Sequence, residues 1–259
     1  MITKIFKPYK SIKKNLVRIG PQTDGGYVID KRVIKKTHTI ITCGLNDDWE
    51  FEREFQKYNK NCKIIAYDHT VTKEFWKKRF KKDLINFLKF KKLSLKKILD
   101  ILKYFKYKNF FKNNNFHHIK KVVLNKNNSK EISIKKILNN QNKIILKVDI
   151  EGDEYNLLKT INKEFKKINM LIIEFHKISK NINKIKSFLL EKKFKIIHIH
   201  GNNFGGVDKK GDPNVMEFTL INPKKFKVSK LKSNSKYPIH GLDFRNLKRR
   251  NDILLNFDE

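Results

Sequence analysis

The sequence predicts an α/β protein built on a doubly wound, mostly parallel sheet. Short runs rich in β-branched residues recur along the chain, and most are nearly continuous apolar segments, as strands covered on both faces should be. Helical patterns separate several of them, which argues for crossover units rather than hairpins. Acidic residues and histidines gather where the runs end, the place where open α/β sheets hold their ligands.

The first run, 38–43 (HTIITC), leads through a loop into a helical pattern at 49–58. The second is 63–67 (KIIAY) and the third 143–148 (KIILKV), followed by a helical pattern at 155–165. The fourth, 170–175 (MLIIEF), precedes a helical pattern at 181–193, and the fifth is 195–200 (KIIHIH). A late run at 215–221 (VMEFTLI) follows a glycine-rich turn and is expected to pair antiparallel at the sheet edge.

Residues 71–116 depart from this pattern. They are lysine-rich, with apolar residues at Phe80, Leu84, Phe87, Leu88, Leu95, Ile98, Leu99, Leu102 and Phe105, spacings that predict one or two amphipathic helices. The segment reads as a helical insertion that caps the sheet or makes a homo-oligomer contact. A nucleic-acid-binding arm is the alternative, and a separate strand is expected at 119–124. The chain, 1–259, is thus one domain carrying this insertion and a C-terminal extension at 237–259, in which Leu242 and Phe244 pack on the body.

Composition excludes several classes. A hydrophobic fraction of 39% with 20 Phe supplies a core, so a wholly disordered basic chain is excluded. No run approaches the ~18 apolar residues of a membrane span, and the first residues lack the apolar core of a secretory signal. Cys43 and Cys62 form no framework, so they are expected as reduced thiols in a cytoplasmic protein. The net charge of +34 suggests a nucleic-acid partner, but only seven of the 60 basic residues are Arg, the residue suited to bidentate phosphate contacts. The chain is also crowded with Asn, Ile and Phe, so the lysine excess reads first as coding bias; its field would still attract an anionic substrate.

The strand ends carry the chemistry. Gly44 lets the backbone after the first run turn tightly and approach a ligand, though no GxGxxG or Walker lysine accompanies it. Asp68 ends the second run and suits the ribose hydroxyls of an adenosine cofactor, or else caps a helix. Four carboxylates follow the third run, of which Asp149 and Glu151 are placed in the cleft, while others cap the next helix. Glu174 and His176 share one face at the end of the fourth run, as do His198 and His200 at the end of the fifth. Three of the eight histidines beside carboxylates indicate a general base or a divalent-metal site.

The ordered blocks Val17-Arg18-Ile19-Gly20, Asp24-Gly25-Gly26-Tyr27-Val28, CGLNDDWEFE, AYDHT, LKVDIEGDEYNLL, IIEFH and HIHGNN resemble the FkbM-type methyltransferases, over roughly residues 17–246. The resemblance implies a class I methyltransferase, Rossmann-like fold and S-adenosylmethionine as cofactor, with a hydroxyl of a sugar or another natural product as acceptor. By it, Asp24, Gly25, Gly26, Tyr27 and the loop of Gly44, Asp47 and Asp48 hold the methionine end. Asp68 binds ribose, and Asp149 lies beside the reacting methyl group. His176 is the first candidate for the base, with His198 or His200 next, while Asn202 and Asn203 are placed to bind sugar hydroxyls and the C-terminal extension to close over the substrate. The expected activity is O-methylation of a sugar or nucleotide-linked sugar for surface polysaccharide synthesis. The alternatives are an RNA methyltransferase, or a non-catalytic RNA-binding protein using the basic surface.

Overall fold

The computed structural model describes residues 3–11, 13–89, 102–119, 122–124 and 126–257. The chain opens with an antiparallel hairpin, β1 (Leu16–Ile19) and β2 (Tyr27–Asp30), in which Ile19 pairs with Tyr27. Asp30 then caps the short α1 (Lys31–Ile34) by accepting the Arg32 N–H. The run at 38–43 becomes β3 (Thr39–Cys43), buried at all five positions. It leads into α2 (Glu50–Tyr58), whose Phe51 and Phe55, one turn apart, bury the same helical face. β4 (Lys63–Tyr67) follows.

The insertion contributes α3 (Lys73–Lys89) and α4 (Lys103–Phe110). Trp76 of α3 packs against Trp49, Tyr104 and Tyr107 at centroid separations of 6.4, 5.6 and 4.9 Å, which fixes both helices beside the end of β4. Leu95, Ile98 and Leu99 lie outside the described residues.

Next come β5 (Phe116–Ile119), β6 (Val122–Leu124), β7 (Glu131–Ser133) and α5 (Ile134–Leu138). The single strand expected at 119–124 is therefore two. β5 joins the main sheet and begins inside the segment assigned to the helical insertion, whereas β6 pairs in parallel with β7 in a sheet of its own. The sequence FHHI hid β5 because only its ends are apolar, as befits an edge strand. The chain closes with β8 (Ile144–Val148), α6 (Glu154–Lys163), β9 (Ile168–His176), α7 (Ile178–Leu190), β10 (Lys195–Gly201) and β11 (Val215–Ile221).

The main sheet has seven strands in the order β10-β11-β9-β8-β3-β4-β5. β5, β4, β3, β8 and β9 run parallel, while β11 is antiparallel to both its neighbours. β11 thus lies one place in from the edge, between β9 and β10. The crossover through α7 leaves a gap one strand wide, and the chain returns into it. All seven residues of β11 are buried, the pattern of an interior strand.

Alternation along the strands builds a core on each face. Ile41, Leu146, Leu171 and Phe218 face α6 and α7 through Leu157, Ile161 and Ile185. Ile40, Ile145, Met170 and Ile172 face the hairpin and α2 through Ile19, Ile29, Phe51 and Phe55. Strand order reverses between β3 and β8, so the crevice at their carboxyl ends is where this architecture receives a ligand.

Candidate active site

At that crevice β3 ends in Gly44, whose N–H donates to Tyr67 O at 2.9 Å, while the Asp149 N–H donates to Cys43 O at 2.8 Å. Gly44 has φ +85°, and a Cβ there would lie 1.7 Å from the Asp149 carbonyl oxygen. Only glycine permits this approach of the two strand ends. Asp68 then fixes the loop. Its Oδ2 accepts the N–H groups of Leu45 and Asn46 at 2.8 and 2.7 Å, and its Oδ1 accepts Thr70 N–H and Oγ1–H at 2.7 and 2.6 Å. Burial pushes the Asp68 carboxyl up, but these hydrogen bonds outweigh it and leave its pKa lowered.

The turn between β1 and β2 stands against this loop, where a Cβ on Gly25 would come 3.3 Å from Asp48 Oδ2. Asp48 accepts the Glu50 N–H at the start of α2, and burial raises its pKa. Asp47 pairs with Arg79 of α3 and, at 3.1 Å, with Lys103 of α4. The insertion is thereby tied to the loop, and its Phe75 and Lys103 help to wall the cavity.

These parts enclose a cavity of about 700 Å³, whose lining includes Asp24, Tyr27, Asp48, Asp68, Lys147 and Asp149. Gly44 and Glu151 also line it, Glu151 exposed at its rim. Lys147 was not singled out from the sequence, although a lone lysine inside an apolar strand was a visible signal. It is buried with its Nζ 3.5 Å from Glu52 Oε1 and 5.2 Å from the centre of the Tyr27 ring. Burial pushes the ammonium toward its neutral form, but Glu52, Asp149 and Asp48 outweigh that and raise its pKa.

On the β9 side, Asp149 adjoins Glu174 and His176, and the ligating atoms of the three lie within 4.8 Å of one another. His176 Nδ1 is hydrogen-bonded to Glu154, which is fully buried at the start of α6, and the Tyr155 hydroxyl donates to the His176 carbonyl. Burial raises the Asp149 pKa to about 6, opposed by Lys147 and His176. Burial, then Asp149, Glu217 and Asp24, push Glu174 well above the usual carboxylate range. For His176 burial favours the neutral ring, but Glu154 and Asp149 outweigh it and raise the pKa. Asp149, Glu174 and His176 have the donor types and spacing to hold a divalent metal.

The other candidates divide. Asn202 Nδ2 donates to Glu174 Oε1 at 3.0 Å and to Asp24 Oδ1 at 3.4 Å, so it belongs to this wall. Asn203 instead holds the C-terminal extension, donating to the carbonyls of Leu247 and Arg250 at 3.1 Å each. His198 and His200 face that extension too. His198 Nε2 lies 3.1 Å from Asp243, while His200 lies 3.4 Å from Glu217 and 3.1 Å from Asp252. Both are buried, and neither lines the cavity, so the HxH pair clasps the extension rather than facing the cleft. Asn246 brings the extension to the site: it lines the cavity and donates to Asp24 at 2.9 Å and Glu217 at 2.7 Å. No sequence signal marked it; Glu217, the lone acid in an apolar strand, was marked as clearly as Lys147.

The strand order, the reversal at β3 and β8 and the glycine approach there define a Rossmann-like fold of the class I methyltransferase type. The model of the methyltransferase FkbM domain matches residues 10–196, and the chain belongs to that family, which uses S-adenosylmethionine. The cavity fits this cofactor, because a carboxylate-rich wall suits a sulfonium and an ammonium, and Lys147 provides a buried cation. No curated protein matches the chain. Among solved structures, M. jannaschii TYW2 in complex with AdoMet is similar at 12% identity, covering 74% of each chain with a TM-score of 0.34. Precorrin-6y C5,15-methyltransferase from Geobacter metallireducens shares 8% identity over 74% of this chain and 87% of its own, TM-score 0.35. A methyltransferase from Pyrococcus furiosus shares 12% over 74% and 78%, TM-score 0.36.

Proposed function

We propose that this methyltransferase acts on a hydroxyl of a sugar or nucleotide-linked sugar, as a cytoplasmic enzyme of surface polysaccharide synthesis. The observation that carries the reading is the trio Asp149, Glu174 and His176 beside the cofactor cavity. A sugar hydroxyl is a poor nucleophile at neutral pH and has to lose its proton as it reacts. The trio gathers polar groups where that proton must leave, and Glu154 holds the His176 ring by Nδ1 so that Nε2 faces Glu174. S-adenosylmethionine supplies an electrophilic methyl group on a sulfonium. The residues of this chain supply position: the Gly44 loop, braced by Asp68, and the Asp24–Tyr27 turn seat the methionine end. Asn202 and Asn246, which bridge the carboxylates, make a wall suited to hydroxyl groups.

The test is methyl transfer from labelled S-adenosylmethionine to a panel of nucleotide sugars, with RNA as the competing acceptor. Label appearing in a sugar ether, and lost in His176→Ala with cofactor binding retained, supports the reading. Transfer to RNA, with binding that weakens steeply as salt rises, would replace it.

A further inference from the structure

Asp149 follows β8, and Glu174 and His176 stand two residues apart at the end of β9, the adjacent parallel strand. His176 Nε2 is 3.6 Å from Glu174 Oε1, and all three residues offer ligating atoms within 4.8 Å of one another. Atoms that share an ion at about 2.1 Å sit roughly 3 Å apart at right angles, so small side-chain rotations close the trio on one ion. We infer that these three residues form a divalent-cation site, of the Mg²⁺ or Mn²⁺ kind, at which the acceptor hydroxyl is bound.

Further observations around the trio point the same way. Metal-ligating histidines are held through their second nitrogen by a carboxylate, and Glu154 does this to His176 Nδ1. The Asp149 carboxylate accepts no hydrogen bond from the described residues, although it lines the cavity. Asn246, 6% exposed on the same cavity wall, keeps its Oδ1 without a partner among the described residues while its Nδ2 binds Asp24 and Glu217. Glu217 lies directly opposite Glu174 in the β9–β11 register, and both are buried. A cation offsets the cost of so many acids in a small buried volume. Two carboxylates with one imidazole suit a hard to borderline divalent ion.

The inference deepens the hydroxyl-transfer reading and rests on it for the role of the ion. With His176 Nε2 used as a ligand, the acidity of the hydroxyl comes from coordination rather than from the imidazole. Its proton passes to water, the new O–C bond forms as the S–C bond breaks, and the electron pair of that bond stays on sulfur.

Metal-stripped protein titrated with Mn²⁺, followed by calorimetry and by the paramagnetic resonance of the free ion, tests the site. The expected result is one ion per chain, lost in Glu174→Gln and weakened roughly 10- to 100-fold in Glu154→Gln, which acts only by positioning His176. S-adenosylhomocysteine titrated into the same preparations reports that each variant is folded with its cofactor cavity intact. Wild-type protein that binds S-adenosylhomocysteine but takes up no more Mn²⁺ than Glu174→Gln overturns the cation site. Protein that binds Mn²⁺ through Glu174 yet methylates no hydroxyl acceptor keeps the site and overturns the hydroxyl reading.

Discussion

Asp68 accepts the backbone N–H of Asn46 at 2.7 Å, so the acid that ends β4 holds the loop that ends β3. With Leu45 and Thr70 as its other donors, the carboxylate braces the cofactor loop from within, and a ribose hydroxyl would have to share an oxygen already engaged there. Asp68→Asn turns an acceptor into a donor facing these N–H groups, so both stability and S-adenosylhomocysteine affinity should fall. The sign of the pH effect follows from the lowered pKa. The contribution is present above the ordinary value of 3.8 and is lost as pH falls through the folded-state value. Acid titrations of melting temperature should show the wild type losing stability there and Asp68→Asn losing less.

Gly44→Ala is expected to cost roughly 3 kcal/mol or more, because its Cβ would overlap the Asp149 carbonyl in a left-handed conformation. Urea unfolding measures it. A variant as stable as the wild type would show that the β3 and β8 ends do not meet in this way.

Lys147→Met should destabilise by about 3–5 kcal/mol, since it leaves Glu52 buried without its cation. The double variant with Glu52→Gln should recover much of that loss. A double-mutant cycle gives the coupling, and additive effects would mean that the pair is not formed.

The clasp on the C-terminal extension should weaken in base. Burial lowers the His200 pKa, but Asp252 and Glu217, helped by Asp243, outweigh it and raise the value from 6.5 to about 10. The stabilisation is therefore full below 6.5 and is lost as pH rises through about 10. His200→Gln should melt lower than the wild type at neutral pH, and the gap should narrow toward the alkaline end.

The parallel strands were legible because their apolar runs record burial on both faces, and β3, β4 and β8 lie within two residues of where those runs predict them. β5 was not, because FHHI has no run to read, and β11 was legible as a strand but not in its place, since insertion between β9 and β10 depends on a crossover that leaves no local mark. In the site, alternation put Glu174 and His176 on one face and the strand-end rule put Asp149 in the same cleft, but that these three meet is visible only in the structure. His198 and His200 share that alternation, but their partners Asp243 and Asp252 come from an extension that lies 45 and 52 residues further on. A strand-end rule cannot see what a distant segment covers. Asn246, 222 residues from Asp24, was hidden for the same reason.

Calorimetric titration of S-adenosylhomocysteine into the folded protein, with Asp68→Ala alongside, decides whether the crevice at β3 and β8 is a cofactor site. Saturable binding at one site per chain is expected, lost or strongly weakened when Asp68 no longer braces the Gly44 loop. Absence of binding to the intact wild-type protein would contradict it.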